Sequence, residues 1–436
     1  MLTSMFTAVS GMNANGSALS VISDNIANLN TVAFKSSRVE FGDVLSQSMG
    51  GGSSQIGRGV QVLGVSPLFT QGSFESTASG LDLSLDGDGF FMVNDATGTR
   101  SYTRAGQFSI DKNGNIVNPD NLSLQGYLAD AAGIITGTIG NLQVGATQNP
   151  ANMTTATQVA LNLDATATAN PIVWPAAGSF TLDGNGDGLL NDPANFNSSS
   201  TVNVYDSQGG AHPVTLYFAK TAANSWTVHY VHDDAAVPGS LINAGQQDLV
   251  FNTDGSLNTD NSGAPVNFNF GGAVVNPQPI AFNFGTGTGE APAGTGLDMS
   301  TQFASAFSVL SLNQDGYASG SLKSVSVSDA GVISGTFTNG QTRSLGQIAL
   351  ARFIAPTGLS KLGRNLYGES FDSGQPVVGT ANTSGIGKVA SNSLELSNVD
   401  LASEFVNMIS AQRGFEANSK IITTTDELMQ VLVNLK

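Results

Sequence analysis

Apolar residues at the start of the chain recur at Leu2, Met5, Val9, Met12, Leu19 and Ile26, a 3-4-3-4 spacing whose intermediate positions are Gly16 and Ser23. This heptad stripe predicts a helix over residues 2–30, roughly 40 Å long at about 1.5 Å per residue. The residues off the stripe are mostly Ser, Ala, Gly, Asn and Thr, so the helix can be approached closely on several sides. Residues 397–436 repeat the design. Phe405, Met408, Phe415, Ile422, Met429 and Val433 follow the heptad, with polar Gln412, Ser419 and Asp426 interrupting it. Ile409, Ile421, Leu428, Leu432 and Leu435 make a second apolar face, and a helix with two such faces needs more than one neighbour. Ser397 with Asp400 three residues on predicts a capping box at its start.

Between these ends helical periodicity is weak. Residues 31–75 read as an extended connector punctuated by Gly50-Gly51-Gly52. From Leu81 the pattern becomes strand and turn: Leu81, Leu83 and Leu85 alternate with polar residues, and Phe90-Phe91-Met92-Val93 follows Asp86-Gly87-Asp88-Gly89. Phe108 to Val117, around Asn113-Gly114, predicts a β-hairpin. Further strands are expected at Val202–Tyr205, Val214–Phe218 and Trp226–Tyr230. The expected fold is mainly β with α-helical termini. The terminal helices form a coiled-coil-like bundle, and the β domains are nested sandwiches or barrels. Residues 1–30 with 397–436 form the helical part. Residues 76–144 with 318–396 form a split β domain, and residues 145–317 form a second β domain inserted within it.

Composition narrows the function. Charged residues are 11% of the 436 positions and Gly numbers 52, so the surface is largely Ser, Thr, Asn, Gln and Gly. That suits extracellular β proteins and surfaces that pack against their own copies. A net charge of −17 with 16 Lys and Arg leaves no basic patch for nucleic acid. With no cysteine, disulfides, thiolate metal sites and thiol catalysis are excluded. No apolar run approaches the length of a membrane span, so no membrane insertion is expected. Lys35 is the first basic residue, so export without a cleaved signal is expected.

Candidate chemistry is sparse. No G-x-S-x-G elbow, P-loop or H-E-x-x-H occurs, and neither a catalytic residue nor a cofactor is expected. His229 and His232 are an odd number apart in an expected strand and point to opposite faces, so with His212 they read as exposed strand histidines. Asp86 and Asp88 read as turn residues. Asp183, Asn185, Asp187 and Asn191 match positions 1, 3, 5 and 9 of a calcium loop, with Gly188 as its turn glycine. Ala194 stands where a bidentate acid is required. The stretch reads as a polar hairpin turn, with weak calcium binding as its alternative.

Several ordered motifs carry a resemblance. Ser10-Gly11-Met12, Ile22 to Thr31 and Ala33-Phe34-Lys35 resemble the N-terminal signature of the flagellar rod and hook axial protein family. Phe405 to Asn418 and Leu432 to Lys436 are similar to its C-terminal signature. Thr70-Gln71-Gly72, Leu81-Asp82-Leu83, Gly87 to Phe91 and Ser101 to Gly106 resemble its core. The block at 145–317, with Tyr205 to Gly209, is similar to the inserted β domain of hook members.

The resemblance implies an axial structural protein exported through the flagellum's own type III apparatus. Its partners would be copies of itself in a helical polymer, the flagellar rod, hook–filament junction proteins and a hook cap during assembly. A hook subunit would form a curved tube that transmits torque as a universal joint. A distal rod protein and a secreted calcium-binding β protein are the alternatives.

Overall fold

The computed structural model describes residues 2–45, 57–130, 132–144, 148–169, 174, 178–181, 196–234, 240–261 and 264–434. The chain divides into two compact units. Unit 1 is Met1–Thr147, Lys323–Thr336 and Thr342–Lys436; unit 2 is Gln148–Leu322 and Phe337–Gln341.

In unit 1, helix α1 spans Leu2–Ala27 and helix α2 spans Leu401–Asn434. The start of α2 corrects the expected cap. Asp400, not Ser397, is the N-cap: its Oδ1 accepts from Ala402 N at 2.9 Å and Ser403 N at 3.2 Å. Ser397 Oγ takes only a long bond from Val399 N, at 3.4 Å. A carboxylate beside the helix N-terminus also meets the positive end of the dipole, which favours Asp over Ser there.

The stretch expected as a connector carries an antiparallel hairpin, β1 (Ser37–Leu45) with β2 (Gly57–Pro67), whose pairing shifts after Glu40. The β body of unit 1 is a sheet in which Val332–Phe337, Thr342–Ile348, Ser123–Ala129, Phe90–Asn94, Arg100–Thr103, Leu366–Gly368 and Ser360–Gly363 lie side by side. Phe90, Met92, Tyr102, Phe353, Leu359 and Tyr367 pack into its core, with Phe90, Phe353 and Tyr102 meeting edge to face. The hairpin around Asn113-Gly114 is present, with Ser109–Ile110 paired to Ile116–Val117. The Asp86–Gly89 turn has Gly87 at φ 110° and Gly89 at φ 137°, where a side chain is strained. Its carboxylates face cations, Asp86 with Lys388 at 3.3 Å and Asp88 with Arg352 at 4.0 Å.

Unit 2 is a β-sandwich. One sheet orders Gly178–Thr181, Ser240–Phe251, Ser225–Asp233, Ala211–Ala222 and Ser198–Tyr205. The other orders Val266–Phe268, Gln278–Asn283, Ala156–Asn162 and Ser308–Gln314, with one parallel pairing, between Ala156–Asn162 and Gln278–Asn283. Alternate residues of both sheets, including Val159, Leu161, Leu216, Phe218, Trp226, Tyr230, Ile280 and Phe282, fill the space between them.

His229 and His232 do point to opposite faces, but both are buried, which corrects the expectation of exposed histidines. Ser225–Asp233 is a central strand covered on both sides. His229 stacks on Trp174 with ring centroids 4.2 Å apart, and His232 packs against Phe268 and Phe270. His212 is half-buried, stacked on Phe270, with Nε2 2.8 Å from Asp206 Oδ2.

Burial lowers His229 from the ordinary value of 6.5 to about 4, and lowers His232 as well. Between those values the unfolded chain binds a proton that the folded chain does not, so acid favours unfolding. The His229 contribution is absent above pH 7. It grows as pH falls from about 6.5 to about 4, reaching a loss of about 3 kcal/mol. Melting of the full chain between pH 7 and 4 should show a falling unit 2 transition, flattened in His229→Gln. An unchanged slope in that variant contradicts the assignment.

The Asp183, Asn185, Asp187 and Asn191 stretch lies outside the described residues. Among the described residues, no cluster of three or more His, Cys, Asp or Glu side chains could hold a metal. No described helix is long and apolar enough to cross a membrane.

Candidate assembly surface

α1 and α2 run antiparallel, and small and amide residues make their seam. A Cβ at Gly11 would lie 2.8 Å from Asn418 Nδ2, and one at Gly414 would lie 2.9 Å from Asn15 Oδ1. Each asparagine donates from Nδ2 to the glycine carbonyl four residues earlier in its own helix, Asn15 to Gly11 and Asn418 to Gly414, both at 2.8 Å. The two G-x-x-x-N segments interlock reciprocally, each glycine seating the other helix's asparagine. The back-bond occupies amide hydrogens that would otherwise be stranded in the seam. Ala8, Ala14, Ala411 and Thr425 are buried along the same line.

At the other end of the seam, buried Asn25 joins three elements. Its Oδ1 accepts from Ser37 N at 2.9 Å, and its Nδ2 donates to Ser37 O at 2.9 Å and to Glu404 Oε1 at 3.2 Å. The hairpin is held against α1 farther along as well, where Val60 N donates to Ser10 Oγ at 3.3 Å.

Small residues make the closest approach in the seam, and many of the large apolar side chains stay exposed. Among the expected interface residues, Met5, Phe405, Phe415 and Met429 are exposed, whereas Val9, Met12, Leu19, Ile26, Met408 and Ile422 are half-buried. The side chains of Leu2 and Val433 lie outside the described set. Phe6 is 70% exposed and Val406 is 63% exposed, and Ile409, Ile421, Leu428 and Val431 are also exposed. On α1 the heptad pattern runs one residue off the seam residues Ala8, Gly11, Asn15 and Asn25. The signal that marks the seam is the run of small residues Ala8, Gly11, Ala14 and Ala18, spaced three and four apart.

A buried charge cluster ties the helical segments to the β body. Lys35, just after α1, places Nζ 2.5 Å from Glu395 Oε1, just before α2, and both side chains are fully buried. Lys35 Nζ also donates to Thr70 O at 2.8 Å, and Gly72 N donates to Glu395 Oε1 at 2.9 Å. Arg104 Nη1, from the β body, stands 3.7 Å from Glu395 Oε2. Burial pushes the Lys35 ammonium down, and the Glu395 carboxylate opposes that shift. Arg104 is lowered by burial in the same way, and burial raises the Tyr367 phenol to about 12.

Paired terminal helices with exposed apolar side chains, joined through a buried charged junction to a β body, define a helix-flanked β protein. Comparison with known proteins places it further. Residues 5–35 match the family described as flagella basal body rod protein, and 390–435 the flagellar basal body rod FlgEFG protein C-terminal family. Residues 84–169 match the flagellar hook protein FlgE/F/G D1 domain, and 162–317 the flagellar basal body protein FlaE D2 domain.

The chain is 36% identical to the flagellar hook protein FlgE of Salmonella typhimurium over 441 residues, covering 98% of this chain and 99% of that one. It is 36% identical to the FlgE of Escherichia coli, with 98% and 99% covered. Against the FlgE of Borreliella burgdorferi it is 34% identical, with 100% of both chains covered. The chain belongs to the flagellar hook protein family.

Proposed function

We propose that this chain is the structural subunit of the bacterial flagellar hook, polymerising with its own copies into a curved, flexible tube that carries torque from rod to filament. The observation that carries this reading is the terminal helix pair. Its seam is closed by small and amide residues, so many apolar side chains stay exposed for neighbouring subunits, in a chain similar over its full length to flagellar hook proteins. The assembly interface consists of the apolar positions from Leu2 to Ile26 and from Phe405 to Val433. The flagellar rod, the hook–filament junction proteins and a hook cap are its other partners, reached by export through the flagellum's type III apparatus. It is not an enzyme in this reading.

A universal joint needs firm inner contacts and looser outer ones. The helix faces offer the first through apolar burial. A surface poor in charge and rich in Ser, Thr, Asn and Gly offers the second, through many near-equivalent weak contacts.

Ile409→Asp tests the interface separately from the fold, because Ile409 is half exposed. Its subunits are expected to melt within about 0.5 kcal/mol of wild type, as surface changes do, and to form no polymer. Normal hooks from this variant would remove α2's outer face from the interface.

A further inference from the structure

Phe371 is 99% exposed, and Ile354 on the adjoining loop is 86% exposed. The turn carrying Phe371 is nonetheless firmly held. Ser370 Oγ donates to Gly358 O at 2.6 Å, Ser373 Oγ donates to Ser370 O at 3.0 Å, and Asp372 N donates to Ser370 Oγ at 3.1 Å. A Cβ at Gly358 would come within 2.6 Å of the Asp372 carbonyl carbon, so the two loops touch backbone to backbone. An aromatic ring held in water on a fixed turn loses little conformational freedom when covered, which is the property of a binding anchor. Glu369 and Asp372 flank the ring, making the knob both acidic and aromatic.

Ser360–Gly363 and Leu366–Gly368 form an antiparallel hairpin, and Phe371 follows its open end. At its tip, where Arg364 and Asn365 take positive φ, lies a cleft of about 450 Å³. Phe34, Pro119, Leu366 and Tyr367 supply apolar wall, and Lys361 and Arg364 supply positive charge. Asp24 and Asp120 also line it. Arg364 Nη1 donates to Asp120 Oδ1 at 2.9 Å, and Lys361 Nζ donates to Ser37 Oγ at 2.6 Å. The Arg364 side chain is three-quarters exposed, and a guanidinium has five N–H donors, so it can take a second carboxylate.

We propose that the Phe371 turn of one subunit docks into this cleft on a second copy of the chain. The ring packs against Pro119 and Leu366, and an acidic flank pairs with Arg364. Knob and cleft lie at opposite ends of one hairpin, so the contact joins different surfaces of successive copies and can propagate head to tail. An open polymer requires contacts of that form. The inference rests on the hook-subunit reading and specifies one of its contacts.

The absence of native cysteine allows a clean test. Full-length chains carrying Glu369→Cys with Pro119→Cys are assembled and then oxidised, alongside Glu369→Cys with Lys323→Cys. The expected result is a ladder of covalent oligomers from the first pair and none from the second. Phe371→Ala should raise the concentration needed for polymerisation roughly 30-fold, the effect of losing one strong anchor. Polymers that form but give no ladder from the first pair overturn this contact and leave the hook reading intact. A wild-type chain that never polymerises overturns both.

Discussion

Glu395→Gln is expected to cost unit 1 about 3–5 kcal/mol, the penalty for stranding buried charge. Lys35 and Arg104 both face this carboxylate inside the protein, Lys35 at 2.5 Å and Arg104 at 3.7 Å. The amide is nearly isosteric, so packing survives while two cations lose their counter-charge. Lys35→Met should cost less, because Arg104 and Glu395 then still balance. The sign of the pH dependence follows from Lys35. Its folded value is already below the ordinary one through burial, and Glu395→Gln removes the group that opposes that shift. The unfolded variant therefore binds a proton more readily than the folded one, so stability should rise with pH up to the ordinary lysine range near 10. Urea melts of both variants at pH 7 and pH 9.5 measure this. Equal losses, or a Glu395→Gln variant indifferent to pH, would show that the cluster is not held by charge.

Gly106→Ala should be still more damaging, leaving little folded chain. A Cβ at Gly106 would sit 1.6 Å from the Leu83 carbonyl oxygen, a backbone atom that cannot rotate away. The same residues share a hydrogen bond, Leu83 N donating to Gly106 O at 2.9 Å, so the strand must separate from the loop that carries Arg104. A loss above about 4 kcal/mol, the exceptional range for one substitution, is expected. Gly137→Ala is the matched control: nothing lies within 4 Å of its Cβ, and it should change stability by less than about 0.5 kcal/mol. Similar melts for the two would contradict the close approach.

These positions separate what the sequence discloses from what it conceals. The terminal helices are legible because a period near 3.6 persists over many residues, and the Asn113-Gly114 hairpin because its turn chemistry is local. Gly72 and Gly106 stand out only through resemblance. Their reason is steric, since a Cβ at Gly72 would lie 2.1 Å from Leu396 O. The cluster of Lys35, Arg104 and Glu395 is illegible because its members are far apart in the chain and each looks like an ordinary surface charge. The G-x-x-x-N seam escapes a hydrophobic pattern because Gly and Ala carry little apolar surface and Asn is polar, although close helix approach favours the small residues. The buried histidines mislead because alternation tells which face a residue takes, not whether another layer covers that face.

The most direct test of the hook reading is electron microscopy of flagella isolated with their basal bodies, labelled with antibody raised against residues 148–322. Label confined to the short curved segment between envelope and filament is the predicted result. Label on the straight axle or along the filament, or none where a control proves the epitope accessible, would contradict it.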